Sequence, residues 1–277
     1  MEHEPNDIQG VYSVDDSGMV HTASNGDSDE RNSTRPVLYK GTTNDLFKLI
    51  AEPLAKDNGF RVLWLGDSGM GKSYANNLFV AWLLKSKLVD LILTLDTKDP
   101  HNSQYPGGTE RVNPADLRQH PPLPNESRTH ITFRGVAKTR KLSEDCDPDD
   151  VARLGWELVT QRKTKVLLNI DELADCTQGG QGWTAKTVAA TYRKGRGVSL
   201  SLSATTQLPQ ILPREAFALS EVVVLFRMSG REASYLLDKR AITPESAEIV
   251  PNLTVGQCVI YDKGRGSLDG KVVFIGS

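Results

Sequence analysis

The stretch "GDSGMGKS" at residues 66–73 follows the apolar run "RVLWL" (61–65) and opens into "YANNLFVAWLL" (74–84). It fits the pattern G-x-x-x-x-G-K-[ST], with Gly66, Gly71, Lys72 and Ser73 at the required places. An apolar strand before it and a helical pattern after it form the context in which this pattern holds phosphate. Gly66, Gly69 and Gly71 let the backbone turn, so that the N–H groups of Asp67, Ser68, Gly69, Met70 and Gly71 converge on phosphate oxygens. The following helix adds its positive end. Lys72 then reaches the β- and γ-phosphates, and the Ser73 hydroxyl is placed as a ligand of Mg²⁺. The expected ligands are therefore ATP and Mg²⁺.

A matching second half lies at "VLLNIDELADC" (166–176). Apolar residues run into Asp171, so its carboxylate emerges at the end of a buried strand, suited to a water of the same Mg²⁺. Glu172 follows, placed to polarise a water that attacks the γ-phosphate. An adjacent acid pair favours hydrolysis over transfer to a substrate hydroxyl. In "SLSLSATTQLPQ" (199–210) a strand is expected to end at Ala204. Thr205, Thr206 and Gln207 would project from its tip, and the Gln207 amide would sense the phosphate and the attacking water.

Outward from these motifs, short β-branched runs alternate with helical patterns. Strands are expected at 37–40, 61–65, 91–96, 130–133, 165–171, 198–204, 221–227, 257–262 and 271–276. Helices are expected at 72–87, 149–161, 183–194 and 230–238. Several strands are apolar throughout, as strands covered on both faces are. The predicted fold class is α/β: a RecA-like P-loop core with a mostly parallel sheet, helices on both faces and a hairpin-like addition at the C-terminal end. Residues 100–128, rich in Pro, Asn and Gly, read as a long excursion.

Charge is unevenly spread. Residues 1–35 hold eight acids against two bases, leaving 31 bases against 27 acids for 36–277. The first segment is polar and poor in apolar residues, so it is expected to be a disordered acidic tail, with a motor domain at 36–277. The mildly basic remainder is compatible with a nucleic-acid partner. The opening "MEHEPNDIQG" has no basic start and no apolar core, and no apolar run reaches the length of a membrane span, so neither a signal peptide nor transmembrane insertion is expected. Cys146, Cys176 and Cys258 are widely spaced and form no zinc or disulfide pattern.

In their order, "GDSGMGKS", "LILTLDTKDP", "VLLNIDELADC", "RKGRGVSLSLSATTQLPQ" and "EVVVLFRMSGREASYLLD" resemble the FtsK–HerA superfamily of DNA-pumping ATPases across residues 60–240. The short chain narrows the resemblance to the packaging ATPases of tailless, membrane-containing double-stranded DNA viruses. What the resemblance implies is an ATPase that drives double-stranded DNA into a preformed capsid. It would act as a homo-oligomeric ring, a hexamer, docked on capsid or inner-membrane vertex proteins. Its places would be the host cytoplasm during assembly and the packaging vertex of the virion. The resemblance also implies a trans-acting arginine from the basic segment before the Thr-Gln strand. Arg196 best matches the expected distance from Asp171. The interval from Gly197 to Gln207 is longer than in the family, which keeps Arg193 as the alternative. Lys138, Arg140 and Lys141, or Arg162, Lys163 and Lys165, are candidates for gripping the DNA backbone. The rival readings are a P-loop motor acting on protein in assembly or secretion, and a conjugation or DNA-transfer ATPase. A nucleotide-gated switch without turnover conflicts with Glu172.

Deletion of residues 1–35 is expected to leave the melting temperature and basal ATP turnover of the remainder unchanged. A large drop in melting temperature on truncation would contradict the tail assignment.

Overall fold

The computed structural model describes residues 12–14, 20–22, 42–53, 58–96, 114–119, 129–134, 146–178, 182–263 and 272–275. The chain divides into two units, Met1–Arg35 and Pro36–Ser277. In the first, β1 (Tyr12–Val14) pairs antiparallel with β2 (Val20–Thr22). A two-stranded pair of this size is marginal by itself. The rest of that segment lies outside the described residues, as do the expected strand at 37–40 and the cluster Lys138, Arg140 and Lys141.

In the second unit α1 (Thr43–Ala51) precedes β3 (Arg61–Leu65), α2 (Lys72–Lys85) and β4 (Leu91–Asp96). Then come α3 (Pro114–Gln119), β5 (Thr129–Arg134), α4 (Pro148–Arg162) and β6 (Val166–Ile170). The chain continues through α5 (Lys186–Lys194), β7 (Leu200–Thr206), α6 (Arg214–Leu219) and β8 (Val222–Phe226). It closes with α7 (Gly230–Asp238), α8 (Pro244–Ile249), β9 (Gln257–Asp262) and β10 (Val272–Phe274).

Eight strands form one sheet in the order β10-β9-β8-β3-β7-β6-β4-β5. The six from β8 to β5 are parallel, and β9 and β10 add an antiparallel edge. Strands β3, β6, β7 and β8 are buried along their whole length. Alternate residues face two separate cores. On one face Val62, Trp64, Val224 and Ile260 meet Phe47 of α1 and Ala75, Phe79 and Leu83 of α2. On the other, Leu63, Leu93, Leu168, Leu202 and Leu225 meet residues of α4, α5, α6 and α7. Phe79 anchors the first core, with its ring centroid 5.2 Å from Phe47, 5.6 Å from Phe60 and 5.8 Å from Trp64. Aromatic contacts at this spacing add about 0.5–1.5 kcal/mol each beyond burial.

The predicted α/β architecture is the observed one. β7 starts and ends two residues later than expected: Thr205 and Thr206 belong to the strand, paired with Trp64 and Leu65 of β3. Four helices were not anticipated: α1, α3, α6 and α8. α3, α6 and α8 have six residues each, too few turns to show a period. α1 does carry a reciprocal cap, in which Thr42 accepts from the Asp45 amide and Asp45 accepts from the Thr42 amide. Among the described residues, no helix is long and apolar enough to cross a membrane.

On β5, burial lowers the pKa of His130 from 6.5 to about 4. A folded-state value below the unfolded one means that the unfolded chain takes up the proton first. Stability is thus full above pH 6.5 and lost as pH falls from 6.5 towards 4. His130→Gln is expected to cost stability at pH 7.5 through its lost contact with Thr94. That deficit should narrow by about 2 kcal/mol at pH 4.5, measured by denaturant unfolding of both proteins. An equal deficit at both pH values would contradict the assignment.

Candidate nucleotide site

Because β3, β4, β6 and β7 are parallel, their C-terminal ends share one edge of the sheet, and the segments that leave those ends build the site. From β3 the chain passes through Gly66, Gly69 and Gly71, all with positive φ, at 145°, 76° and 103°. Gly66 has a second reason to be glycine: a Cβ there would stand 2.8 Å from the Cβ of Phe226. A Cβ on Gly69 would meet nothing within 4 Å, so its requirement is conformational alone. The loop is held at two points, where the Asp67 amide donates to Arg227 O at 2.8 Å and the Gly256 amide donates to Met70 O at 3.2 Å.

Helix α2 starts at Lys72 behind Gly71, with no side chain capping it. By contrast, α1, α4, α7 and α8 are capped by Thr42, Asp147, Ser229 and Thr243. An uncapped helix start behind a glycine loop suits an anion, since the amides and the helix dipole both favour negative charge there. Lys72 is buried and its Nζ donates to Asp67 O at 2.5 Å, folded back across the loop.

From β6 comes Asp171, 2% exposed, whose amide donates to Leu95 O at 3.0 Å. Glu172 is half-buried. Its carboxylate accepts from the Thr206 hydroxyl, from the backbone N–H of Gln207 at 3.2 Å and from the backbone N–H of Ala174 at 3.3 Å. Burial raises its pKa despite those donors, which makes it a stronger base. The Thr205 hydroxyl donates to Asp171 O. The two threonines expected at the tip of β7 thus hold the acid pair rather than projecting from it, and Gln207 is the exposed residue there. The donor set fits Mg²⁺, a hard ion that takes oxygen ligands: the Ser73 hydroxyl and the Asp171 carboxylate. Among the described residues no three His, Cys, Asp or Glu side chains gather to hold a metal alone. Mg²⁺ draws most of its shell from phosphate and water.

Lys72, Ser73, Asp171, Glu172 and Gln207 therefore share one edge. Arg193 and Arg196 do not. Arg193 lies in the last turn of α5 and Arg196 in the 3-10 turn Gly195–Val198 that follows it, before β7 and at the edge where the strands begin. The five residues of β3 span about 16 Å between the two edges. Arg193 is held in a two-pronged pair with Glu215, Nε to Oε1 at 2.5 Å and Nη2 to Oε2 at 2.8 Å. Glu215 also accepts from Trp183 Nε1 at 3.0 Å. Among the described residues Arg196 makes one longer ionic contact, Nη1 to Glu221 Oε1 at 3.5 Å. Glu221 is already engaged by Arg61 through its backbone amide, Nε and Nη2. Arg162 and Lys163 end α4 and Lys165 precedes β6, on the same edge as the two arginines.

No protein-family model and no curated protein sequence matches the chain. Solved structures do match in fold. The genome packaging NTPase B204 from Sulfolobus turreted icosahedral virus 2, in complex with AMPPCP, aligns over 77% of this chain and 96% of its own, at TM-score 0.61 and 16% identity. Its complex with ATP-gammaS aligns over 78% and 96%, at 0.60 and 18%. B204, the DNA-packaging ATPase from Sulfolobus Turreted Icosahedral Virus, aligns over 74% and 93%, at 0.56 and 19%. At such identities the likeness is one of fold.

Lys72→Ala is expected to abolish ATP turnover, because it removes the one side-chain charge that reaches the β- and γ-phosphates. Glu172→Gln should bind ATP near wild-type affinity yet turn it over at least about 100-fold more slowly. Loss of binding in Glu172→Gln would contradict this division of roles.

Proposed function

We propose that this protein is an ATP-driven double-stranded DNA translocase that packages a viral genome into a preformed capsid. The carrying observation is Glu172, a half-buried carboxylate gripped by Thr206 and the Gln207 amide on the strand edge that bears Lys72 and Asp171. A carboxylate so held, with its pKa raised by burial, suits removal of a proton from a water attacking the γ-phosphate. The proton passes to Glu172, the water oxygen bonds phosphorus, and the bond from phosphorus to the ADP oxygen breaks. Lys72 neutralises charge on the transferring phosphoryl group. Ser73 and Asp171 would hold Mg²⁺, which would supply further neutralisation of phosphate charge. Gln207 meets the γ-phosphate and so links its presence to β7.

The fold shared with a genome packaging NTPase supports DNA as the object of this work, as does the excess of four positive charges over residues 36–277. A homo-oligomeric ring, hexameric by the family resemblance, supplies what a single chain lacks. Arg193 and Arg196 stand at the far edge of their own sheet, so in this reading the arginine that the resemblance implies comes from a neighbour. Arg196 is better suited than Arg193. Its one long contact to an acid already occupied by Arg61 is easily exchanged, whereas Arg193 would have to leave a two-pronged pair. The ring would dock on capsid or inner-membrane vertex proteins, in the host cytoplasm during assembly and at the packaging vertex of the virion.

Linear duplex DNA is expected to raise the ATPase rate severalfold, with stimulation falling as salt rises, since backbone contacts release counterions. Arg196→Ala should bind ATP but lose the stimulated rate, and mixing it with Lys72→Ala should restore part of it. Turnover indifferent to DNA at every salt concentration would overturn the DNA reading. Mixed rings as inactive as either parent would remove Arg196 from its role.

A further inference from the structure

Beneath the site a second row of polar residues crosses the same face of the sheet. Ser203, Asn169, Thr94 and Thr132 are register partners on β7, β6, β4 and β5, all of them buried. Asn76 of α2, itself fully buried, joins this row. Its hydrogen bonds run head to tail. Trp64 Nε1 donates to Ser203 Oγ at 2.9 Å, and Ser203 Oγ donates to Asn76 Oδ1 at 2.7 Å. Asn76 Nδ2 donates to Asn169 Oδ1 at 2.9 Å, and Asn169 Nδ2 donates to Thr94 Oγ1 at 3.0 Å. Thr94 Oγ1 then lies 2.6 Å from His130 Nε2. The neutral imidazole that burial enforces can accept there, which ends the series. Reversing one amide alone would set acceptor against acceptor or donor against donor between Asn76 and Asn169, so the two are oriented as a pair.

The row lies one step below the reacting groups. Asn169 is two residues before Asp171 on the same strand face, and Ser203 is two before Thr205. Asn76 is four residues after Lys72, on the buried stripe of α2 formed by Lys72, Ala75, Asn76, Phe79, Val80 and Leu83. The other members of that stripe beyond Lys72 are apolar, and apolar contact does not fix direction or register. The Asn76–Asn169 amide pair is a directional bond between α2 and β6, one turn from the phosphate loop. We propose that Asn76 and Asn169 are positioning residues, whose bond sets the separation of the Lys72–Ser73 helix start from Asp171 and so tunes the paired hold of nucleotide and divalent cation. The proposal rests on the ATPase reading of this site. It extends that reading to two residues that touch neither phosphate nor metal.

The test is fluorescent-ATP binding with Mg²⁺ and with EDTA, on wild type, Asn76→Ser and Asn76→Leu/Asn169→Leu. The serine removes the bridge but leaves a small polar group; the leucine pair replaces the bridge with an apolar contact, so that at least one folded variant is available for scoring. Misfolding lowers the fraction of binding-competent protein but leaves the ratio of the two affinities unchanged. In wild type Mg²⁺ should tighten binding. In either folded variant, affinity in EDTA should stay within about threefold of wild type while the gain from Mg²⁺ shrinks about tenfold, as for other residues that orient metal ligands. A wild-type gain retained in a folded variant overturns the proposal, as does an equal loss with and without metal. Failure of wild type to bind ATP at all would instead strike the ATPase reading.

Discussion

The turn that carries the chain from β3 into α2 constrains everything around it. Three residues in eight take backbone angles that side chains resist, and Phe226 closes the space behind the first of them. Such a turn cannot relax into a capped helix start, so α2 presents its amides and its dipole to whatever lies in front of it. The turn must itself be held. Arg227 and Gly256 hold its backbone, Phe79 and Leu83 hold the helix in an apolar core, and Asn76 fixes the helix on β6. Glu172 obeys the same logic on the neighbouring strands. An acid on a free loop would wander, whereas three donors, Thr206 at the end of β7, Gln207 just after it and Ala174, fix its direction.

Parallel strands sort charge by edge. The acid pair, Lys72 and Ser73 lie where the strands end. Arg61, Arg196, Glu221 and Lys263 gather where β3 and β8 begin, with Lys263 lowered to about 8 mainly by its burial. One acid there is shared among three cations, which leaves Arg196 the most loosely held. A motor assembled from copies of this chain would place one copy's starting edge against another's ending edge. The head-to-tail contact of a ring meets that requirement.

Much of this was legible in the sequence because backbone chemistry dictates it. The glycines, Lys72 and Ser73 follow from how a phosphate is cradled, and Asp171 from where a buried strand must end. The strands β3, β4 and β9 carry the residues their apolar runs foretold. Other parts were hidden for physical reasons. Thr205 and Thr206 are polar, and polar residues after an apolar run look like the end of a strand until their hydroxyls are seen to bind the acid pair. Asn76 gave no sign, since in "YANNLFVAWLL" either asparagine could face water; only the phase of α2 on the sheet buries Asn76 and leaves Asn77 half-buried. α6 and α8 are too short to show a period. The pairing of Arg193 with Glu215, 22 residues on, depends on how α5 packs beside α6 and has no local signature.

The most direct test of the central claim is an experimental structure with Mg²⁺ and a non-hydrolysable ATP analogue. The phosphates should lie on the amides of residues 67–73. Lys72 Nζ should have left Asp67 O for the β- and γ-oxygens, and Glu172 and Gln207 should face the γ-phosphate. An analogue bound elsewhere, or Lys72 still folded onto Asp67 O beside an occupied loop, would contradict it.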